Sequence, residues 1–148
     1  MRNRFIQTGA AAAVALAAVL SLSACSTAQS KDDACTQLRN IDGSDIQTPS
    51  ASEVRSGAAK DSLSDVASTL ENAASGISNE EVKPLVDDAA TSARGVSDYY
   101  SENFANGIDT NVTDLEAAKQ LQTKATEFSD KTKDFTDKLK TLRDTCEL

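Results

Sequence analysis

Histidine and tryptophan are both missing from these 148 residues, and the chain has only one methionine, two prolines, four phenylalanines and two tyrosines. Without histidine there is no imidazole base near neutral pH, no histidine-based triad and no histidine metal ligand. Positive charge is scarce as well: 15 Lys and Arg stand against 23 Asp and Glu, a formal net of −8. Such a surface repels phosphates, which disfavours non-specific binding to nucleic acid or anionic headgroups and favours a basic partner. Long apolar runs are limited to one, Ala10 to Leu20, which is shorter than the roughly 20 residues that a bilayer-spanning helix needs.

That run is nonetheless informative. Arg2 and Arg4 precede it and no acid occurs before Asp32, which is the layout of a secretory signal peptide. Directly after it stands Leu22-Ser23-Ala24-Cys25. In this stretch the chain resembles the bacterial lipoprotein precursors, whose lipobox is an aliphatic residue, two small residues and a cysteine. The resemblance implies a diacylglyceryl thioether on Cys25, cleavage after Ala24, and a mature protein held on the extracytoplasmic face of the cell membrane. It covers residues 1–25 and says nothing of the remainder; an ordinary cleaved signal that happens to contain a cysteine is the alternative. If lipid consumes Cys25, two cysteines are left, and an oxidising compartment can pair Cys35 with Cys146. Two buried free thiols are the alternative.

The mature chain of 124 residues carries 13 bases and 23 acids, a net −10, with −9 of it between Cys25 and Thr113. Leu, Ile, Val and Phe number only 22 in those 124 residues, a proportion typical of disordered chains. Periodicity, 15 alanines that let helices approach closely, and the expected disulfide argue for order.

The expected organisation is a signal peptide over residues 1–24, a flexible tether over 25–31 and a helical domain over 32–148. Asp32 or Asp33 caps a short helix to about Asn40 with Cys35 and Leu38 inward, and Ile41 to Ser50 is a connector. Three capping-box patterns follow, each pairing a hydroxyl that accepts a helical amide with a Glu that reaches back: Ser50-Ala51-Ser52-Glu53, Ser78-Asn79-Glu80-Glu81 and Thr113-Asp114-Leu115-Glu116. Each opens an apolar stripe with steps of three or four, alternating throughout the first and from Leu121 onward in the third. The first runs Ala59, Leu63, Val66, Leu70, Ala73 and Ile77 on a helix from Ala51 to about Gly76; the second runs Val82, Val86, Ala89, Ala93, Val96, Tyr100 and Phe104. The third includes Leu115, Ala118, Leu121, Ala125, Phe128, Thr132, Phe135, Leu139, Leu142 and Cys146, with Glu127–Lys131 and Asp134–Lys138 at the favourable i, i+4 spacing. Three such stripes joined by short loops imply an all-α fold, an antiparallel three-helix bundle with a short extra N-terminal helix.

With Cys35 joined to Cys146, the tether and the C-terminal end share the membrane-facing end of the bundle. The connector and the loop at 106–112 then share the distal tip, where Ile46, Ile108 and Val112 are candidate contact residues or plugs for the open end of the core. Other constellations favour structural roles. Asp42-Gly43-Ser44-Asp45 lacks the ligand spacing of a calcium loop. Glu80, Glu81, Asp87 and Asp88 read as solvated surface. Tyr100 lies on the apolar stripe with Tyr99 turned outward, Thr132 bonds its own helix, and Thr113 caps a helix. Neither Lys60-Asp61-Ser62 nor Ser129-Asp130-Lys131 has the spacing of a Ser-Lys hydrolase. No catalytic residue, metal or cofactor is expected. The expectation is a non-enzymatic envelope lipoprotein that meets another envelope protein, with a carrier or sensor of a small amphipathic ligand as the alternative.

Overall fold

The computed structural model describes residues 28–41, 49–109 and 112–148; the lipobox with Cys25, and Ile46 in the connector, lie outside them. Every regular element among the described residues is helical: α1 (Lys31–Arg39), α2 (Ala51–Ser56), α3 (Ala59–Gly76), α4 (Val82–Asn103) and α5 (Leu115–Cys146). Helices α3, α4 and α5 form the expected antiparallel bundle, with α1 as the extra N-terminal helix.

The core is three layers stacked along the bundle. At the base, Cys35 and Leu38 of α1 meet Ala74, Ile77, Val82, Val86, Leu142 and Cys146. In the middle, Val66, Ala67 and Leu70 of α3 meet Ala90 and Ala93 of α4, with Phe135 and Leu139 of α5 against them. At the tip, Ala59, Tyr100 and Phe104 are covered by Val54, Leu63, Ile108, Leu121 and Phe128. Small residues dominate the middle layer, so two backbones approach there and few large side chains suffice.

Helix α4 is the central element. Its whole stripe from Val82 to Phe104 is buried, and both α3 and α5 pack along it, whereas α3 and α5 scarcely approach each other. The α5 stripe is consequently less covered than its periodicity suggests. Only Leu142 and Cys146 are buried; Leu121, Phe128, Thr132, Phe135 and Leu139 are half-buried, and Leu115, Ala118 and Ala125 are exposed.

Helix boundaries follow from local chemistry, with corrections to the expected caps. Ser30, not Asp32 or Asp33, caps α1, accepting from the Asp33 amide at 3.1 Å. At the second start Asn79, not Ser78, accepts from the amides of Glu81 and Val82, at 3.1 and 3.0 Å. At the third, Asp114 rather than Thr113 accepts from Glu116 and Ala117. The first capping box forms as expected, with Ser50 and Glu53 bonded reciprocally. The helix it opens breaks at Gly57, however, where φ is +87°. A Cβ at that position would lie 2.5 Å from the Ala105 carbonyl oxygen, so a side chain would collide with the loop that follows α4.

Candidate functional site

The base of the bundle is a cross-linked platform. Cys35 and Cys146 are bonded, with their Cα atoms 5.2 Å apart, and both are buried. Beside them the Arg39 guanidinium donates to the Cys146 carbonyl at 2.9 Å, so α1 both cross-links and caps the end of α5.

The stem entering α1 is attached as well. The Gln29 side-chain oxygen accepts from the backbone amides of Ser78 and Asn79, at 2.7 and 3.2 Å, while the Asn79 side-chain amide donates to the Gln29 carbonyl at 2.9 Å. Lys31 pairs with Glu81 at 2.6 Å. The expected flexible tether through residue 31 is thus shortened: from Gln29 onward the chain is docked on the turn between α3 and α4. Sequence reasoning missed this, because a side chain bonding backbone some 50 positions away leaves no local pattern. The expected capping box at Ser78-Asn79-Glu80-Glu81 marked a helix start there but nothing that docks on it.

The opposite end is held by a glycine interlock. Gly57 and Gly107 both have positive φ, and the Ile108 amide donates to the Arg55 carbonyl at 2.8 Å across the contact. Tyr100 is fully buried beneath, its hydroxyl donating to the carbonyls of Val54 at 2.9 Å and Glu53 at 3.3 Å. Burial pushes the Tyr100 hydroxyl above its ordinary range, with the amides of Ala59 and Gly57 opposing. Of the candidate contact residues, Ile108 packs against this aromatic cluster, Val112 is half-buried, and Ile46 lies outside the described residues. The most exposed large apolar side chain among the described residues is Leu115, at 72% exposure, at the start of α5.

Along the sides, charges pair off. Arg94 and Glu71 bond with two guanidinium nitrogens, each reinforcing the other's charged form. Ser92 and then Lys138 hold the Asp134 carboxyl below its usual range. The expected Asp134–Lys138 pair forms at 3.2 Å. Glu127 instead accepts from the Tyr99 hydroxyl at 2.7 Å, and Lys131 lies over the Tyr99 ring. Partial burial and the Glu127 charge push the Tyr99 hydroxyl up to about 12. Thr132 bonds its own helix through the Phe128 carbonyl.

A trough of about 930 Å³ lies between α3 and α5, lined by Leu63, Phe128, Thr132, Phe135 and Leu139 and ending at Arg39, Lys140 and Arg143. Its floor, formed by Val66, Leu70 and Val96, is already buried, at 6%, 1% and 2% exposure. No cluster of three or more His, Cys, Asp or Glu side chains capable of holding a metal converges among the described residues. There, too, every buried side-chain nitrogen and oxygen has a partner.

No family model, curated protein or solved structure matches this chain.

Proposed function

We propose that the chain is a non-enzymatic lipoprotein of the bacterial envelope, acylated on Cys25, whose helical domain presents its distal end to another envelope component. The observation that carries this reading is the asymmetry between the two ends. The base is cross-linked and hydrogen-bonded to the stem that leads back to Cys25. The tip carries Leu115 in the open, above an interlocked and satisfied core. The acidic body favours a basic surface on the partner.

Intact-mass measurement of the mature chain from producing bacteria tests the anchor. The expected result is a chain beginning at Cys25 with a diacylglyceryl group and two fewer hydrogens for the Cys35–Cys146 bond; a chain starting elsewhere without lipid overturns it. For the partner, Leu115→Asp is expected to abolish capture by the tip while leaving thermal unfolding within about 0.5 kcal/mol of the parent, as for surface substitutions generally. Capture unchanged by this substitution counts against the tip.

A carrier of a small amphipathic ligand is the second reading, favoured by the trough, whose volume falls within the range of about 300–1,000 Å³ common for ligand sites. Its buried floor weighs against free access. Native mass spectrometry decides: a carrier retains a stoichiometric ligand, and a closed bundle retains none.

A further inference from the structure

We propose that the trough between α3 and α5 holds one unbranched acyl chain ending in a single negative charge, its tail towards the tip and its head at Arg39 and Arg143. The proposal deepens, and rests on, the carrier reading of that trough.

The lining is sorted by polarity. From Leu63 and Phe128 in the tip layer down to Leu139, its side chains are apolar apart from Thr132 and Thr136. Both hydroxyls donate within α5, to the carbonyls of Phe128 and Thr132, each at 2.8 Å. Neither is left to donate to a ligand, which suits a hydrocarbon tail. All the charged side chains of the lining gather at the other end: Arg39, Lys140, Arg143 and Asp144. Lys140 and Asp144 pair with each other at 2.6 Å. Arg39 donates one guanidinium nitrogen to the Cys146 carbonyl, and neither Arg39 nor Arg143 takes part in an ion pair among the described residues. The Leu148 carboxylate opposes them, so the lining at this end sums to one positive charge. The acids Asp32, Asp33, Glu80, Glu81 and Asp87 of the base do not line it. A guanidinium presents its donors in a planar fork that matches carboxylate and phosphate oxygens.

Length fits as well. Phe128 and Leu142 stand fourteen residue steps apart on one helix, which is about 21 Å. A lipid chain occupies one leaflet, half of a hydrocarbon core of about 30 Å. Such a chain lies within the trough with its head among the two arginines. Access is through the walls, because the floor of Val66, Leu70 and Val96 is buried. Leu63, Phe128, Phe135 and Leu139 are only half-buried, and α3 and α5 scarcely touch, so these side chains can part while both helices keep their packing on α4.

The test is photo-crosslinking of the acylated mature chain in phosphatidylcholine vesicles with hexadecanoic acid that carries a diazirine either at the tail terminus or beside the carboxyl. Peptide mapping should place the terminal probe on Leu63 or Phe128 and the carboxyl-side probe on Leu139 or Leu142. Thr136→Trp, at an exposed position in the lining, should lower both labels about tenfold or more with unchanged backbone circular dichroism. Arg143→Gln should lower labelling by the acid about fivefold, in line with the loss of one charge-assisted hydrogen bond, and leave labelling by the corresponding alcohol unchanged. Competition by unlabelled hexadecanoate and by lysophosphatidylglycerol separates a free acid from a lysolipid; either supports the proposal, and competition by neither overturns it. The two positional probes need no variant, so a Thr136→Trp chain that fails to fold does not shield the proposal. Labelling outside the trough, both probes on the same residues, or equal labelling by acid and alcohol in the parent overturns it. If native mass spectrometry then retains a different ligand, the carrier reading survives that failure; with no ligand retained, both fall.

Discussion

Two glycines of this chain should respond in opposite directions to the same substitution. Gly57 has φ +87° and faces the Ala105 carbonyl oxygen, so Gly57→Ala incurs left-handed strain of about 1–2 kcal/mol as well as displacement of the tip loop. Gly95 lies within α4 with open space around its Cβ position, so Gly95→Ala should stabilise by about 0.5–1 kcal/mol through the unfolded state. Urea midpoints of the two variants, falling below and above the parent respectively, check this. Tyr99 supplies a pH signature. Its folded hydroxyl keeps the proton up to about 12 while the unfolded one releases it near 10.0, so stability should fall as pH rises through that window and be unaffected by this group below it. Tyrosinate absorbance of the folded protein should accordingly appear later than in urea. At this scale the sequence was legible in kind but not in detail. Ser30, Asn79 and Asp114 cap where Asp32 or Asp33, Ser78 and Thr113 were expected, because neighbouring residues of similar chemistry compete and backbone direction decides between them.

At the level of elements, periodicity identified which face of each helix is apolar, but not what that face meets. It succeeded fully for α4, which has a neighbour on both sides, and only partly for α5, where Leu142 and Cys146 are buried while the stripe above them is half-covered or exposed. The single helix expected from Ala51 to Gly76 is divided into α2 and α3 at Gly57, whose left-handed φ of +87° ends α2; the glycine is visible in the sequence, but the Ala105 carbonyl that leaves no room for a side chain there is not. The uneven cover of α5 predicts uneven dynamics. Amides from Leu115 to Ala125 should exchange with solvent markedly faster than those from Phe135 to Cys146. Cysteine parity was a stronger signal than periodicity and led directly to the bond between Cys35 and Cys146, which are 111 positions apart. Replacing both by serine removes a cross-link that in the chain-entropy account contributes up to about 5 kcal/mol. Protection should be lost first in α1, whose inner face is little more than Ala34, Cys35 and Leu38. Retained protection in α1 without the bond would mean that the Arg39 and Gln29 contacts hold it unaided.

Across the whole molecule, stability depends on α4, because α3 and α5 both lean on it and scarcely on each other. A cavity in α4 should therefore weaken both interfaces together. Val96→Ala, at a position 2% exposed, is expected to cost about 2 kcal/mol from lost burial plus the void. Leu121→Ala, on the half-covered part of α5, should cost about 1 kcal/mol and act locally. The decisive reading is cooperativity. The tyrosines sit in the tip layer, whereas backbone circular dichroism reports all five helices. In Val96→Ala the two signals should move together to lower urea concentration, since the damaged helix joins every layer. In Leu121→Ala the tyrosine signal should shift farther than the helical one, because the disulfide and the buried end of α5 still secure the base. Coincident shifts in both variants would show that the half-covered upper part of α5 is as tightly coupled to the core as the base, and that a rigid tip does not depend on closure between α3 and α5.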